Sequence, residues 1–486
     1  MATLEYYREE RIKKLEQLRA AGIDPYPAKS HRNTQISDIL SDFSARENNE
    51  VIVAGRIKSL RTFGKLAFIV IEDTSSKIQL FIKDGEISPS EGDNIGINRL
   101  NLLDSGDFIE AKGTIGKSQT GEISVFVQTI RILTKSLRPL PGFDGFTDKE
   151  ERFRRRYVDM AVNPEVRARM TRRSRFWQAT RDFLNSRGFI EINIPVLEHT
   201  TGGADAKPFI THCDAYDEDL YLRISHELPL KKLLGGGFEK VYDIGVRFRN
   251  EGVDDEHLPE HIAMESYAAY QDYEDGMALY EDMIKHVCQE TWGTLKFQID
   301  GFSVDLDCAW PRIKYADIMK EKYGVDVFAP DEAQLRAILQ DAKVPLPEGI
   351  GTARLLDHIW KLIRKSSPGP FWLIHEPLEL SPLAKTDPSN PKVTQRFHPI
   401  IAGTELGNGY SELNDPLDQL ARFEEQQRLR DSGDLEAQML DKDFVDMLEY
   451  GMPPACGWGN SERNFWVLEG VPAREGVPFP LMRHLD

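Results

Sequence analysis

The stretch from Phe238 to Tyr273, FEKVYDIGVRFRNEGVDDEHLPEHIAMESYAAYQDY, constrains the fold more than any other part of the chain. Val241, Tyr242, Ile244, Val246 and Phe248 form an apolar, alternating run of strand type. The run breaks at Asn250-Glu251-Gly252 into an acidic, turn-rich loop. A second apolar run, Ile262 to Tyr270, can pair back on the first as a long hairpin. Arg249, Glu251, His257, His261, Glu265 and Tyr267 gather at its rim. An arginine for a phosphate, a glutamate for an exocyclic amine and a loop carrying rings are what an ATP site needs. Taken alone, the pattern fits an ordinary salt-bridged hairpin equally well.

The apolar run GFIEINIPVL (188–197) reads as a second strand, ending near Pro195. Gly202-Gly203-Ala204 reads as a turn where backbone can approach a small ligand. The segment from Asp217 to Gly245 then passes from strand to helix. Glu227 falls in the first helical turn, where a carboxylate complements the helix dipole or counters a substrate ammonium. Further on, GTELGNGYSELNDP sets Glu405, Asn408 and Glu412 at strand-like or bulged spacing, a pattern that attracts Mg2+ or an ammonium group. GMPPACGWGNSERNFWVLEG reads as a glycine-rich bend followed by Arg463 and an apolar helix, a weak phosphate-holding signal.

Upstream, residues 4–21 have helical spacing with an apolar stripe of Leu4, Tyr7, Ile12, Leu15 and Leu18, followed by a polar linker to about residue 49. From Val51 the pattern changes to five or so short strands separated by Gly, Asp, Ser and Lys turns, which reads as a small closed barrel. Its interleaved aromatic and basic residues fit either stacking of unpaired bases or ordinary core packing. LRPLPGFDGF marks a domain boundary near residue 140. The helix expected from about Pro164 carries an arginine-rich face, which we read as a subunit contact in preference to an RNA contact.

The chain has 486 residues, enough for two or three domains, and a net charge of −18, which argues against indiscriminate nucleic-acid binding. Cys213, Cys288, Cys308 and Cys456 are too scattered for a zinc site or a disulfide framework, so a reducing cytoplasm is expected. The first residues lack the apolar core of a signal peptide, and no run of about 18 apolar residues exists, so no membrane span is expected.

Several of these stretches together resemble the class II lysyl-tRNA synthetases, nearly end to end. REERIKKLEQLRAAGIDPYP, VAGRIKSLRTFGKLAFIVIEDTSSKIQLFIKD, GGADAKPFITHCDAYDEDLYLRISHELPLKKLL, FRNEG and ELGNGYSELNDP carry the resemblance. It implies an α+β chain: an N-terminal helix and linker (1–49), a five-stranded OB-fold anticodon-binding barrel (50–138), a linker (139–150) and a catalytic domain (151–486) built on an antiparallel sheet flanked by helices. It also implies a homodimer that uses L-lysine, ATP with Mg2+ and tRNA(Lys). In the family's scheme Arg249 holds both the α-phosphate and the lysine carboxylate, and Glu251 accepts from the adenine amine. His257 and His261 belong to the ATP site. Glu227 and the Gly203 backbone hold the α-ammonium, while Glu265, Tyr267, Asn408 and Glu412 close around the ε-ammonium. Glu405 holds Mg2+, and Arg463 pairs with the γ-phosphate. Phe68, Gln79 and Glu122 meet the anticodon. Three departures all touch the ATP side. His261 stands where the family usually has an adenine-stacking Phe. His398 stands where it has a second metal-binding Glu, so metal binding at 398 is in doubt, imidazole being a poor Mg2+ ligand. GWGNSER is one residue shorter than the family's GxGxGxDR. The alternative to a ligase is a lysine-binding paralogue with weak or altered activation, regulatory or loading lysine onto a protein.

Overall fold

The computed structural model describes residues 3–142, 146–346, 350–431 and 437–485. Its contacts divide the chain into two compact units, Met1–Asp148 with Tyr157–Asn163, and Lys149–Arg156 with Pro164–Asp486. Residues 143–145 of the expected linker lie outside the described residues.

In the first unit the helix Leu4–Ala20 is capped by the Thr3 hydroxyl and stopped at Gly22, whose φ is +75°. Its buried side is narrower than the expected stripe. Leu15 and Leu18 are buried, Leu4 and Tyr7 are exposed, and Arg11 is the third buried residue. Arg11 can be buried because its guanidinium donates to the Ser105 and Ser136 carbonyls at 2.9 and 3.1 Å. The region expected as a polar linker contains two short helices, Ile36–Ser41 and Phe43–Arg46. Ile36 and Ile39 are apolar enough to be drawn into the barrel core. The barrel itself is closed from five strands: Glu50–Phe63, Leu66–Glu72, Lys77–Lys83, Phe108–Lys117 and Ile123–Thr134. Strict alternation sends Ala67, Ile69 and Ile71 inward and leaves Phe68 and Val70 half-buried on the outer side.

The second unit is built on a nine-stranded mixed sheet. Its main path runs Arg312–Lys314, Phe371–Ile374, Arg396–Ile401, Asn408–Ser411, Ala455–Ser461, Glu260–Ala269, Lys240–Phe248, Ile190–Glu191, with Thr404–Glu405 pairing beside Arg396–Ile401. The interior is antiparallel as expected, but the outermost pair at each end is parallel. The helices Pro164–Ser186 and Tyr273–Trp292 supply Phe176, Trp177, Phe183, Tyr280, Met283 and Val287 to the core beside the sheet. The latter helix opens on a full capping box at Asp272 and Asp275 and ends at Gly293 in the left-handed region.

The run GFIEINIPVL is not one strand. Only Ile190–Glu191 joins the sheet, and Leu197–Glu198 pairs elsewhere, with Tyr221 and Leu222. Pro195 lies in the gap, where its missing N–H and fixed φ interrupt a ladder. The arginine-rich helix face also differs from expectation: its charges pair within the chain. Arg169 reaches Glu475 at 3.0 Å, Arg172 reaches Glu469 and Glu165, Arg173 reaches Glu462, and buried Arg156 reaches Glu475 at 3.2 Å.

Candidate active site

The expected hairpin is present, with Lys240–Phe248 and Glu260–Ala269 in continuous antiparallel register from Lys240↔Ala268 to Phe248↔Glu260. Register then fixes which side chains share a face, because strand side chains repeat every two residues. One row across the sheet is Tyr410, Gly457, Tyr267 and Val241. The next is Asn408, Gly459, Glu265 and Asp243. The glycine-rich GWG segment is therefore strand, where a bend was expected. A Cβ on Gly457 would collide with the Tyr267 ring and the Glu412 carboxylate, so glycine is needed there for close approach. Gly203, at φ +80°, is held the same way: a Cβ would sit 2.6 Å from Glu227 Cβ and 2.7 Å from Ser225 Oγ.

Above these rows lies a cavity of about 350 Å3. Its two ends differ in charge. The acidic end contains Glu227, Glu265, Tyr267 and Tyr410. Glu265 accepts from Ser225 Oγ at 2.9 Å, the His226 amide at 3.2 Å and Tyr267 OH at 3.1 Å. Burial first, then the neighbouring Glu227 charge, pushes its carboxyl above the usual range. Glu227 begins the helix Glu227–Gly235 and accepts from Lys231 Nζ at 2.5 Å and from the Tyr410 hydroxyl. Glu412 is fully buried just behind this end, ion-paired with Lys231.

The basic end contains Arg247, Arg249, Arg396 and Arg463, and it meets the acidic end where Arg247 Nη1 lies 3.7 Å from Glu265 Oε1. Arg247 and Arg249 lie two residues apart at the end of one strand. Burial, then repulsion from Arg249, pulls Arg247 down to about 9. Arg249 is lowered by burial, with Glu251, Glu265 and Asp205 pulling back, and its buried Nε has no hydrogen-bond partner. Such a cation is prepared for an anion. Arg463 pairs with Glu256 of the hairpin loop. Arg396 donates to Asn408 Oδ1 at 2.8 Å and to Glu376 Oε2 at 2.8 Å, so Asn408 is oriented by an arginine.

The cavity thus gathers Gly203, Glu227, Arg249, Glu265, Tyr267, His398, Glu405, Asn408 and Arg463 from the sequence-predicted set. It does not include Glu251, His257, His261 or Glu412, the last of which lies buried behind the acidic end on Lys231. Glu251 and His257 are exposed in the loop, where His257 Nδ1 lies 2.9 Å from Asp254 Oδ1. His261 accepts from Arg247 Nε at 2.8 Å, and burial first, then Arg247 and Arg249, keeps its imidazole neutral. Its ring meets Trp466 edge to face at 6.5 Å. His398 Nε2 lies 3.1 Å from Glu376 Oε1. Glu405 accepts from Trp360 Nε1 and lies 3.9 Å from Arg364 Nε. Burial alone would raise Glu405, but His398, Arg364 and Trp360 outweigh it and hold the carboxyl below its usual range. Lys231, Arg247, Arg396, Tyr410 and Glu376 were not anticipated. Lys231 had a signal, its i,i+4 spacing from Glu227. Glu376 is joined to Arg396 and His398 only by strand pairing, for which the sequence offers no spacing.

Among the described residues, no group of three or more His, Cys, Asp or Glu side chains is arranged to hold a metal ion. The residues present fit a divalent cation only in part. Glu405 offers one carboxylate, sufficient when substrate phosphates complete the shell, whereas position 398 offers a nitrogen already facing Glu376.

In the other unit Phe63, Phe68, Phe81 and Phe126 form a ladder of ring contacts at 6.2, 5.3 and 5.1 Å. Gln79 Nε2 donates to Ser124 Oγ at 3.0 Å, and Glu122 is exposed at the adjoining turn.

A closed five-stranded barrel and a charged cleft on a mixed sheet are the two parts of this chain, and sequence comparison assigns each to a class. The family of class II tRNA synthetases (D, K and N) matches residues 148–483, and the OB-fold nucleic acid binding domain matches residues 51–133. The chain belongs to this class II family. Within it, the chain is 42% identical to the lysine–tRNA ligase of Thermotoga maritima over 99% of this chain and 96% of that protein. It is 41% identical to that of Porphyromonas gingivalis (99% and 87%) and 42% identical to that of Carboxydothermus hydrogenoformans (98% and 98%).

Proposed function

We propose that this chain is a lysine–tRNA ligase, which joins L-lysine to ATP as lysyl-adenylate with release of pyrophosphate and passes the lysyl group to tRNA(Lys). The observation that carries the reading is one cavity with carboxylates at one end and arginines at the other, in a chain whose full-length relatives bear that name. A substrate with two ammonium groups and one carboxylate matches that polarity.

In the first step the lysine carboxylate oxygen attacks the α-phosphorus and the bond to pyrophosphate breaks. Two anions must meet, so Arg249 acts by holding both, and no side-chain nucleophile is required. Glu227 and the Gly203 backbone hold the α-ammonium. Glu265, Tyr267 and Asn408 surround the ε-ammonium, with Glu412 acting on it as a counter-charge from behind them. Arg463 exchanges Glu256 for the terminal phosphate. Glu251 and His257 reach the nucleotide from the loop, and His261 borders the adenine with its ring fixed by Arg247. Glu405 would hold Mg2+, which when bound would neutralise phosphate charge. His398, facing Glu376, is the poorer candidate ligand.

Phe68, with its ladder of rings, stacks on anticodon bases, while Gln79 and Glu122 read their edges. Exposed Ile190, Val196, Leu197, Ile210 and Tyr216 support a homodimer, since covering them removes large apolar area from water. Four unpaired cysteines support a cytoplasmic setting. No helix among the described residues is long and apolar enough to cross a membrane. We place the domain limits at 1–49, 50–138, 139–150 and 151–486. Lysine-dependent exchange of pyrophosphate into ATP tests the reading. Exchange dependent on lysine and Mg2+ is expected, and lysine binding without exchange would make the chain a binding paralogue instead.

A further inference from the structure

Lys231 is fully buried, yet it carries an ammonium group. Its Nζ lies 2.5 Å from Glu227 Oε1 and is ion-paired with Glu412. Three rings surround it, Tyr410 at 5.2 Å, Phe444 at 5.8 Å and Tyr267 at 5.9 Å from centroid to nitrogen. Tyr267, Tyr410 and Glu227 also line the substrate cavity. The side chain is thus a lysine ammonium held by the protein beside the place where a substrate ammonium is to bind, and the first step above makes no use of it.

A charge count gives it a purpose. Glu227, Glu265 and Glu412 bring three negative charges to a region where the amino acid brings two ammonium groups; Glu265 also faces Arg247 Nη1 at 3.7 Å, which leaves Lys231 as the protein cation that pairs with Glu227 and Glu412. Three carboxylates crowded in a low-dielectric site cannot all stay ionised without a cation. We propose that Lys231 is a positioning residue that cancels one of these charges, holding Glu227 and Glu412 ionised and oriented so that the pocket accepts a dicationic amino acid. The inference rests on the lysine-pocket reading above. The elements packed on the Lys231 helix bring these charged groups. Lys240–Phe248 supplies Asp243, which pairs with Arg223 at 2.9 Å, and Arg247, which faces Glu265 at 3.7 Å. The Lys231 helix itself supplies Glu227. The end of Asn408–Ser411 supplies Tyr410 and Glu412. Glu260–Ala269 supplies Tyr267 and Glu265, and Ala455–Ser461 supplies neutral Cys456 beside Glu412. The helix Lys442–Tyr450 presents only Phe444, because Asp441 and Asp443 pair with Lys232 instead. Burial would strip the proton from Lys231, and Glu227 and Glu412 outweigh it. Burial, with Glu227 and Glu265 beside it, pushes Glu412 up to about 8 even with Lys231 pulling the other way, so loss of Lys231 would leave it protonated over a still wider range.

The test compares wild type with Lys231→Met by calorimetric titration of lysine and of ATP at about pH 6.5 and about pH 8.5, either side of the range in which perturbed carboxyls titrate. At the lower pH the variant should lose lysine affinity by roughly 30-fold or more, with ATP affinity changed less than about threefold. Carboxyls left without their counter-ion take up protons, so the deficit relative to wild type should shrink at least about fivefold at the higher pH. A deficit independent of pH, or equal for ATP, overturns the proposal and leaves the pocket reading standing. Wild type that binds no lysine overturns both. Should Lys231→Met fail to fold, Lys231→Met/Glu412→Gln, which removes one charge of each sign, should give folded protein with a cooperative melting transition. A double variant that also fails to fold overturns the proposal.

Discussion

Replacing Arg249 by alanine separates chemistry from stability in this site. Its backbone is fixed by the amide bond to Pro259 O at 2.8 Å, which alanine keeps. Its guanidinium Nε is buried without a hydrogen-bond partner, and the nearby Glu251, Glu265 and Asp205 act on it only at longer range. The folded chain therefore loses little when the group goes, and removal of an incompletely paired buried charge should leave stability within about 1 kcal/mol or raise it. Catalysis loses far more. Two unit charges about 4 Å apart attract by about 4 kcal/mol at an effective dielectric of about 20. Losing one such contact to the charge that grows on the α-phosphate slows adenylate formation by about a thousandfold. Lysine-dependent pyrophosphate exchange measures the rate and thermal unfolding measures the fold. Exchange within about tenfold of wild type would refute the assignment of Arg249. A thousandfold loss accompanied by a collapse of melting temperature would refute the claim that the residue is held at no benefit to the fold.

Glu412→Gln should weaken lysine binding by roughly 30-fold or more while ATP binding changes less than about threefold, measured by titration of each ligand alone. Phe68→Ala should raise the KM for tRNA in aminoacylation by roughly tenfold and leave pyrophosphate exchange unchanged, because a stacked base is worth about 1–3 kcal/mol. Glu376 supplies a pH prediction. Burial would raise its carboxyl, but Arg396 and His398 overcome this and lower it from 4.5 to about 2. A depressed carboxyl stabilises the fold above its unfolded value and loses that contribution as pH falls from about 4.5 towards 2, here by about 3 kcal/mol. Acid unfolding followed by circular dichroism should therefore begin at higher pH in Glu376→Gln than in wild type.

The parts of the fold that were legible in the sequence are those fixed by short-range periodicity. The hairpin from Lys240 to Ala269, the helix from Pro164 and the five barrel strands each follow from spacing two or spacing 3.6. What failed were places where one residue type supports two structures. Gly457 and Gly459 read as a bend because glycine bends chains, but here they flatten a strand under Tyr267 and Glu265. The arginines of Pro164–Ser186 read as an external contact because their acidic partners, Glu462, Glu469 and Glu475, lie about three hundred residues further along. Lys231 was overlooked for a related reason: a lysine beside Lys232 on an amphipathic helix normally snorkels to water.

The two ends of the cavity therefore differ in how they are built. At the acidic end each side chain is fixed by others: Ser225 and Tyr267 hold Glu265, Tyr410 and Lys231 hold Glu227, and Lys231 holds Glu412. On the proposed reading, a shell so cross-linked cannot adjust to a shorter or neutral amino acid without leaving a buried charge unpaired, and this would select a dication. At the basic end the positions that depart from the family pattern are compensated locally. His261 is fixed as a neutral acceptor for Arg247, and His398 faces Glu376. Arg463 and Glu256 pair across strand and loop, so the shortened GWGNSER segment still delivers an arginine to the cavity. A phosphate end needs net positive charge and room more than a fixed residue list, because phosphoryl oxygens accept from any well-placed donor. On the proposed reading, amino-acid recognition by the cross-linked carboxylates has no such latitude.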